Sequence, residues 1–131
     1  MSAPTFGNTQ HSAIYNKALE IFTLSRHISF YLSNDLAYLQ RNGKEDKNIY
    51  FTGDIVQQSV SLAPQILKAE SQFFSEEKHK YAASVMRLSN LLYKNCERLE
   101  KASSNGKDFL PLLRKEIKKF RKLQYTWRLT L

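Results

Sequence analysis

Ile14-Tyr-Asn-Lys-Ala18-Leu-Glu-Ile21-Phe-Thr-Leu-Ser25-Arg-His-Ile28-Ser-Phe-Tyr-Leu32-Ser-Asn-Asp-Leu36-Ala-Tyr-Leu39 decides the fold. Small or apolar side chains recur at 14, 18, 21, 25, 28, 32, 36 and 39, in steps of three and four. At 3.6 residues per turn such steps hold one stripe facing one way, which is the seam of a bundle helix. The predicted helix runs from His11 or Ser12 to Arg41, after a loose arm over residues 1–10. Asn42-Gly43 supplies a left-handed stop, and Lys44-Glu45-Asp46-Lys47 a polar corner.

The same rhythm returns three times. A second helix is expected over about Asn48–Phe74, with Ile55, Ser59, Leu62, Ile66, Ala69 and Phe73 inward. Pro64 lies inside it, and a proline there removes an amide donor and crowds the carbonyl four residues back, so a kink is expected near Val60 to Pro64. Ser75 followed by Glu76 and Glu77 reads as an N-cap with first-turn acids, opening a third helix to about Ala102. Tyr81, Val85, Leu88, Leu92, Cys96 and Leu99 form its seam, and Ser103-Ser104-Asn105-Gly106 ends it. Asp108 is placed to cap the fourth helix, with Pro111 in its first turn, where a missing amide costs little. Long helices joined by short turns are antiparallel neighbours. The expected architecture is therefore all-α, an up-down-up-down antiparallel four-helix bundle making a single domain over residues 11–131.

Charge is concentrated at one end of the chain. The stretch Lys107–Leu131 holds eight Lys or Arg and two acids, a net of +6 out of +8 for the whole chain. At about 100° per residue, Leu113, Ile117, Phe120, Leu123, Trp127 and Leu131 share an arc, and the basic residues fill the other half. Such a helix docks one face on a core and offers a cationic surface to an anion. In the third helix Lys80, Arg87, Lys94 and Lys101 recur every seven residues, with Arg98 beside them. If the two basic surfaces merge, they form an electrostatic footprint for a phosphate backbone. Arg114, Lys115, Lys118, Lys119, Arg121 and Lys122 are the candidate phosphate contacts, extended by Arg87, Lys94, Arg98 and Arg128. Tyr125 and Trp127, beside the basic face, are candidates for stacking on bases. The same face would also serve as a solvated surface, with Glu97 and Glu100 neutralising the stripe locally, or as a dock for an acidic partner protein.

Catalytic patterns are wanting. A bundle di-metal centre requires two inward Glu-x-x-His pairs plus two further glutamates, and only Glu76-Glu-Lys-His79 matches. The single cysteine, Cys96, excludes an intrachain disulfide and falls on an apolar face, where thiols are inert packing. No Gly-rich phosphate loop, nucleophile elbow or zinc-spaced cysteine set is present. The expectation is a non-enzyme without metal or cofactor. The N-terminal residues lack the basic and apolar regions of a secretory signal, and no apolar run approaches ~20 residues. A soluble, cytoplasmic protein with no membrane partner is expected. Tyr15, Leu19, Phe22 and Phe30, with Val56, Val60 and Leu67, widen the apolar arcs beyond one bundle interior, so homo-oligomerisation is expected too.

Two stretches carry a family resemblance. Tyr15-Asn-Lys-Ala-Leu-Glu-Ile21 resembles the opening Tyr-x-Lys-Ala-Leu-Glu-Leu of a bacterial four-helix-bundle family. Ile55-Val-Gln-Gln-Ser-Val-Ser-Leu-Ala-Pro-Gln-Ile66 resembles its second-helix signature, Ile-Arg-Arg-Ala-Ala-Val-Ser-Ile-Pro-x-Asn-Ile. Val56 and Gln57 replace the paired arginines, and Lys68-Ala69 replaces a Glu-Gly. The family comprises ribosomal-RNA intervening-sequence proteins and the accessory variability determinants of diversity-generating retroelements. Glu116-Ile-Lys-Lys-Phe-Arg-Lys-Leu-Gln-Tyr-Thr-Trp127 is more similar to the retroelement branch, whose last helix has an acid, then an Arg and later a Trp. That resemblance implies a ring-like, basic homopentamer that binds nucleic acid, with RNA favoured over DNA, and assists a reverse transcriptase.

Overall fold

The computed structural model describes residues 12–36, 43, 49–101 and 108–131. The expected arm, the end of the first helix with Leu39, the polar corner and the 103–106 loop lie outside the described residues. Among the described residues there are five helical segments: α1 (Ala13–Leu36), α2 (Ile49–Val60), α3 (Leu62–Ser71), α4 (Ser75–Leu99) and α5 (Leu110–Arg128). Helices α2 and α3 form one rod interrupted at Ser61, so the molecule is an all-α four-helix bundle with no strand among the described residues.

Pairings between helices set the direction of each rod. The Ser29 hydroxyl near the end of α1 donates to the Thr52 carbonyl near the start of α2, at 2.8 Å. Asn95 of α4 donates to Gln58 at 3.0 Å, while Arg98, further along α4, stacks on Phe51, earlier in α2. Arg114 reaches Glu100 and Arg121 reaches Asn90. Along the α2–α4 and α4–α5 pairs the numbers run in opposite directions. Leu19 and Phe22 face Val60 and Leu67 while Ser29 faces Thr52, so α1 is antiparallel to the α2–α3 rod, giving the up-down-up-down order.

The seam of α1 is buried as its spacing requires, from Ile14 through Ala18, Ile21, Ser25, Ile28 and Leu32 to Leu36. Ile55, Leu62, Ile66, Val85, Leu92, Leu99, Leu113, Ile117 and Phe120 close the core. Gly43 adopts φ 77°, a left-handed conformation that glycine takes without steric cost. The irregularity from Pro64 falls at Ser61, whose φ of −81° and ψ of −14° keep the chain helical and the seam in phase. With no amide at Pro64 to reach the Val60 carbonyl, regular bonding resumes from the Gln65 amide to the Ser61 carbonyl at 3.3 Å.

Three local expectations are corrected. Phe73 is not a core residue: α3 ends at Ser71, Gln72 turns extended, and Phe73 is left 89% exposed, edge-on to Phe74. Ser75 is the first helical residue of α4 rather than its cap, because Phe74 holds the extended conformation that precedes the helix. Asp108 does not cap α5 either, since a 3₁₀ turn over Asp108 and Phe109 intervenes and no side chain caps the helix. Pro111 does sit in the first turn.

Candidate functional site

The apolar arc of α5 buries Leu110, Leu113, Ile117, Phe120, Gln124 and Trp127. Helical periodicity then sends Lys115, Lys118 and Lys122 to the opposite side, where all three are exposed. On α4 the buried residues Val85, Ser89, Leu92 and Cys96 leave Arg87 and Lys94 exposed on the outer face. No ion pair engages these five cations among the described residues.

The arginines behave differently. Arg114, Arg121 and Arg128 project from the flank of α5 that faces α4, and all are partly buried. Arg114 Nη2 donates to Glu100 Oε1 at 3.0 Å, and a bond to the Tyr93 hydroxyl, then the Glu100 charge, hold its pKa above the ordinary value. Arg121 Nη2 donates to Asn90 Oδ1 at 2.8 Å, and its guanidinium lies 4.4 Å from the Tyr93 ring centre. The Tyr93 ring thus fixes the Arg121 guanidinium from one side while Asn90 holds its edge.

Lys119 and Arg98 stand apart from this group. Lys119 Nζ bonds Glu116 Oε2 at 3.1 Å on the flank toward α1. Lys17 of α1 bonds the other oxygen of Glu116 at 2.7 Å and Glu20 at 2.6 Å. The Lys17 bond is the main cause that holds the Glu116 carboxyl below its ordinary range, and Glu116 in turn raises Lys17. Arg98 turns the other way, 4.4 Å over Phe51 of α2. The structure thus gathers Lys115, Lys118, Lys122, Arg87, Lys94, Arg114, Arg121 and Arg128 on the α4–α5 side, and places Lys119 and Arg98 at its two margins. Of the acids that would neutralise this side, Glu100 is engaged by Arg114 and Glu116 by lysines on the α1 flank, while Glu97 stays exposed on α4 and in no ion pair among the described residues.

Trp127 is not available for stacking. It is 5% exposed, and its indole nitrogen donates to Glu70 Oε2 at 2.9 Å, tying the end of α5 to α3. Tyr125 is 63% exposed beside the basic face. Gln124 is the residue that reading by hydrophobicity misses. Its position, four after Phe120 and three before Trp127, is the only signal for it.

Cys96 is buried, and desolvation pushes its thiol up to about 12, so it stays protonated and unreactive at neutral pH. No group of three or more His, Cys, Asp or Glu is placed to hold a metal among the described residues. No described helix is long and apolar enough to cross a membrane.

A second surface lies on the opposite side. Between α1 and the α2–α3 rod an apolar groove of about 310 Å³ is walled by Leu19, Phe22, Val60, Ala63, Pro64 and Leu67. Leu19, Val60 and Leu67 are each about two-fifths exposed there.

Fold and site together define the class, a helical bundle with a cationic α4–α5 side and an apolar groove behind it. Comparison with protein-family models, curated proteins and solved structures finds no match to this chain.

Proposed function

We propose that this chain is a non-catalytic nucleic-acid-binding accessory protein, favouring RNA over DNA. It works as a homo-oligomer beside a partner enzyme such as a reverse transcriptase. The observation that carries this reading is the set of five exposed cations, Lys115, Lys118, Lys122, Arg87 and Lys94, on adjoining outer faces and in no ion pair among the described residues. A phosphate backbone meets such a set by displacing its own counterions, which supplies affinity without reading sequence. The resemblance of Tyr15–Ile21 and Ile55–Ile66 to the retroelement accessory family favours RNA and the reverse transcriptase. The apolar groove beside Leu19 and Leu67 supports self-association.

The test is fluorescence anisotropy of labelled structured RNA, single-stranded RNA and duplex DNA across a salt series. Micromolar binding whose log K falls with log salt is expected, and the triple variant Lys115→Glu, Lys118→Glu, Lys122→Glu, at exposed positions in no ion pair among the described residues, should abolish it while leaving helicity and oligomeric state unchanged. Absence of binding to every polymer at low salt would refute the reading and leave the face as a solvated surface or a dock for an acidic protein. Light scattering tests the assembly: a mass equal to the 15.3 kDa chain would remove the oligomer.

A further inference from the structure

A cavity of about 240 Å³ opens between α4 and α5. Its floor is an anomaly of the core. Gln124 occupies an inward position of α5, 3% exposed, and its amide nitrogen is enclosed without an acceptor. Ser89, on the α4 side of the cavity, is also inward and is too small to fill the layer. Its hydroxyl is already engaged with the Met86 carbonyl at 2.9 Å. A small serine and an unsatisfied glutamine in one layer leave both the space and the free donor.

The wall adds a second donor. Arg121 lines the same cavity, and its Nε is enclosed and unbonded while Asn90 and the Tyr93 ring fix the rest of the guanidinium. Arg128 also lines the cavity, and exposed Tyr125 stands at its rim. An occupant must therefore bring acceptor atoms and carry negative charge nearby. It must also present a flat, partly apolar body to Met86 and Tyr125. The volume falls below the roughly 300–1,000 Å³ that encloses whole drug-sized ligands, which suits a single ring system.

We propose that this cavity takes up one unstacked base of a single-stranded nucleic acid, held by an acceptor edge against Gln124 and Arg121, with its phosphates toward Arg128 and Lys122. This rests on the nucleic-acid reading above and adds to it a preference that phosphate contacts alone lack. The edges of guanine and uracil present carbonyl acceptors, whereas the adenine edge sets an amino donor beside its ring nitrogen. When Gln124 Nε2 and Arg121 Nε both donate, a carbonyl-bearing edge accepts both bonds and the adenine edge accepts one. Stacking on Tyr125 accommodates any base and sets no preference.

The experiment measures anisotropy of labelled oligo(U) and oligo(A) 12-mers and a 12-base-pair duplex RNA at one moderate salt concentration. The proteins are the full chain and its Gln124→Met and Tyr125→Leu variants. The full chain should bind oligo(U) about tenfold tighter than oligo(A), within the discrimination that good base contacts give. Gln124→Met should erase that preference and leave duplex affinity unchanged. Tyr125→Leu, at an exposed position that spares the core, should weaken both single strands by roughly tenfold and the duplex little. Equal affinity of the full chain for both single strands, unmoved by either variant but lost in the triple lysine variant, would overturn the base site and leave the cationic surface standing. Failure of the full chain to bind any of the three would overturn both.

Discussion

Gln124→Met should make the protein more stable. The glutamine is 3% exposed, and its amide nitrogen has no acceptor, so folding strips it of water and returns nothing. Leaving a buried donor unsatisfied costs about 1–3 kcal/mol. Methionine has a similar length, lacks the donor, ranks close to glutamine in helix propensity and adapts to irregular space. A gain of about 1–2 kcal/mol is expected, toward the lower part of that range because the neighbouring cavity admits some solvent. With an unfolding entropy near 2.1 cal/mol/K per residue, a chain of 131 residues shifts its midpoint by roughly 3.5 °C per kcal/mol. Thermal melts followed by circular dichroism at 222 nm should therefore rise by roughly 4–7 °C. Urea titrations should show a higher midpoint at an unchanged slope, the signature of a stability change without a change in exposed surface. A midpoint lowered by a similar amount would refute the reasoning. It would mean that the amide has a partner in solution worth more than the space, and the free donor on which the base site depends would be gone.

Other outcomes follow from the same contacts. Glu116 is held below its ordinary value of 4.5 chiefly by Lys17, and Lys17 above 10.5 chiefly by Glu116, so their contribution is complete at neutral pH. It should fade as pH falls through the depressed Glu116 value, and again as pH rises through the elevated Lys17 value. In chemical denaturation at several pH values Glu116→Gln should flatten both limbs and cost about 0.5–1 kcal/mol at neutral pH, as part-buried surface networks do. Trp127→Ala should cost about 3–5 kcal/mol by calorimetry, since it removes a buried ring together with its bond to Glu70. As the single tryptophan, Trp127 should also emit at short wavelength and remain unquenched by bound oligonucleotide. Cys96, with its thiol pushed up to about 12, should resist iodoacetamide in the folded protein at pH 8 and react only after denaturation, as read by mass spectrometry.

Spacing carried most of the fold. The seam of α1 is buried as its steps of three and four demand, Gly43 takes the left-handed turn, and the Pro64 irregularity appears one helical turn upstream where the missing amide acts. The failures have two causes. Leu123 packs partly buried against the core as the arc requires, but choosing inward positions by hydrophobicity overlooks Gln124, through which the steps from Phe120 to Trp127 run. Phe73 fails because periodicity does not announce where a helix stops, and Gln72 is already extended. The basic face was legible as a charge count on an arc. Its division into pinned arginines and free lysines was not, because Tyr93, Asn90 and Glu100 lie on another helix and periodicity reports nothing about what faces it across a seam.

That division gives the α4–α5 side two separable properties. Lys115, Lys118 and Lys122 are exposed point charges on flexible stems, so each contributes attraction that salt screens and little orientation. Arg114 and Arg121 are planar groups already fixed by Glu100, Asn90 and Tyr93, and they lose little freedom when a ligand arrives. The lysines should therefore set how steeply affinity falls with salt, while Arg121 and Gln124 set which base is preferred. Removing the lysines should lower the salt slope and leave the ratio between single strands intact. Removing the Gln124 donor should do the reverse, and a variant set that moved slope and ratio together would show that one surface, rather than a surface and a pocket, does the binding.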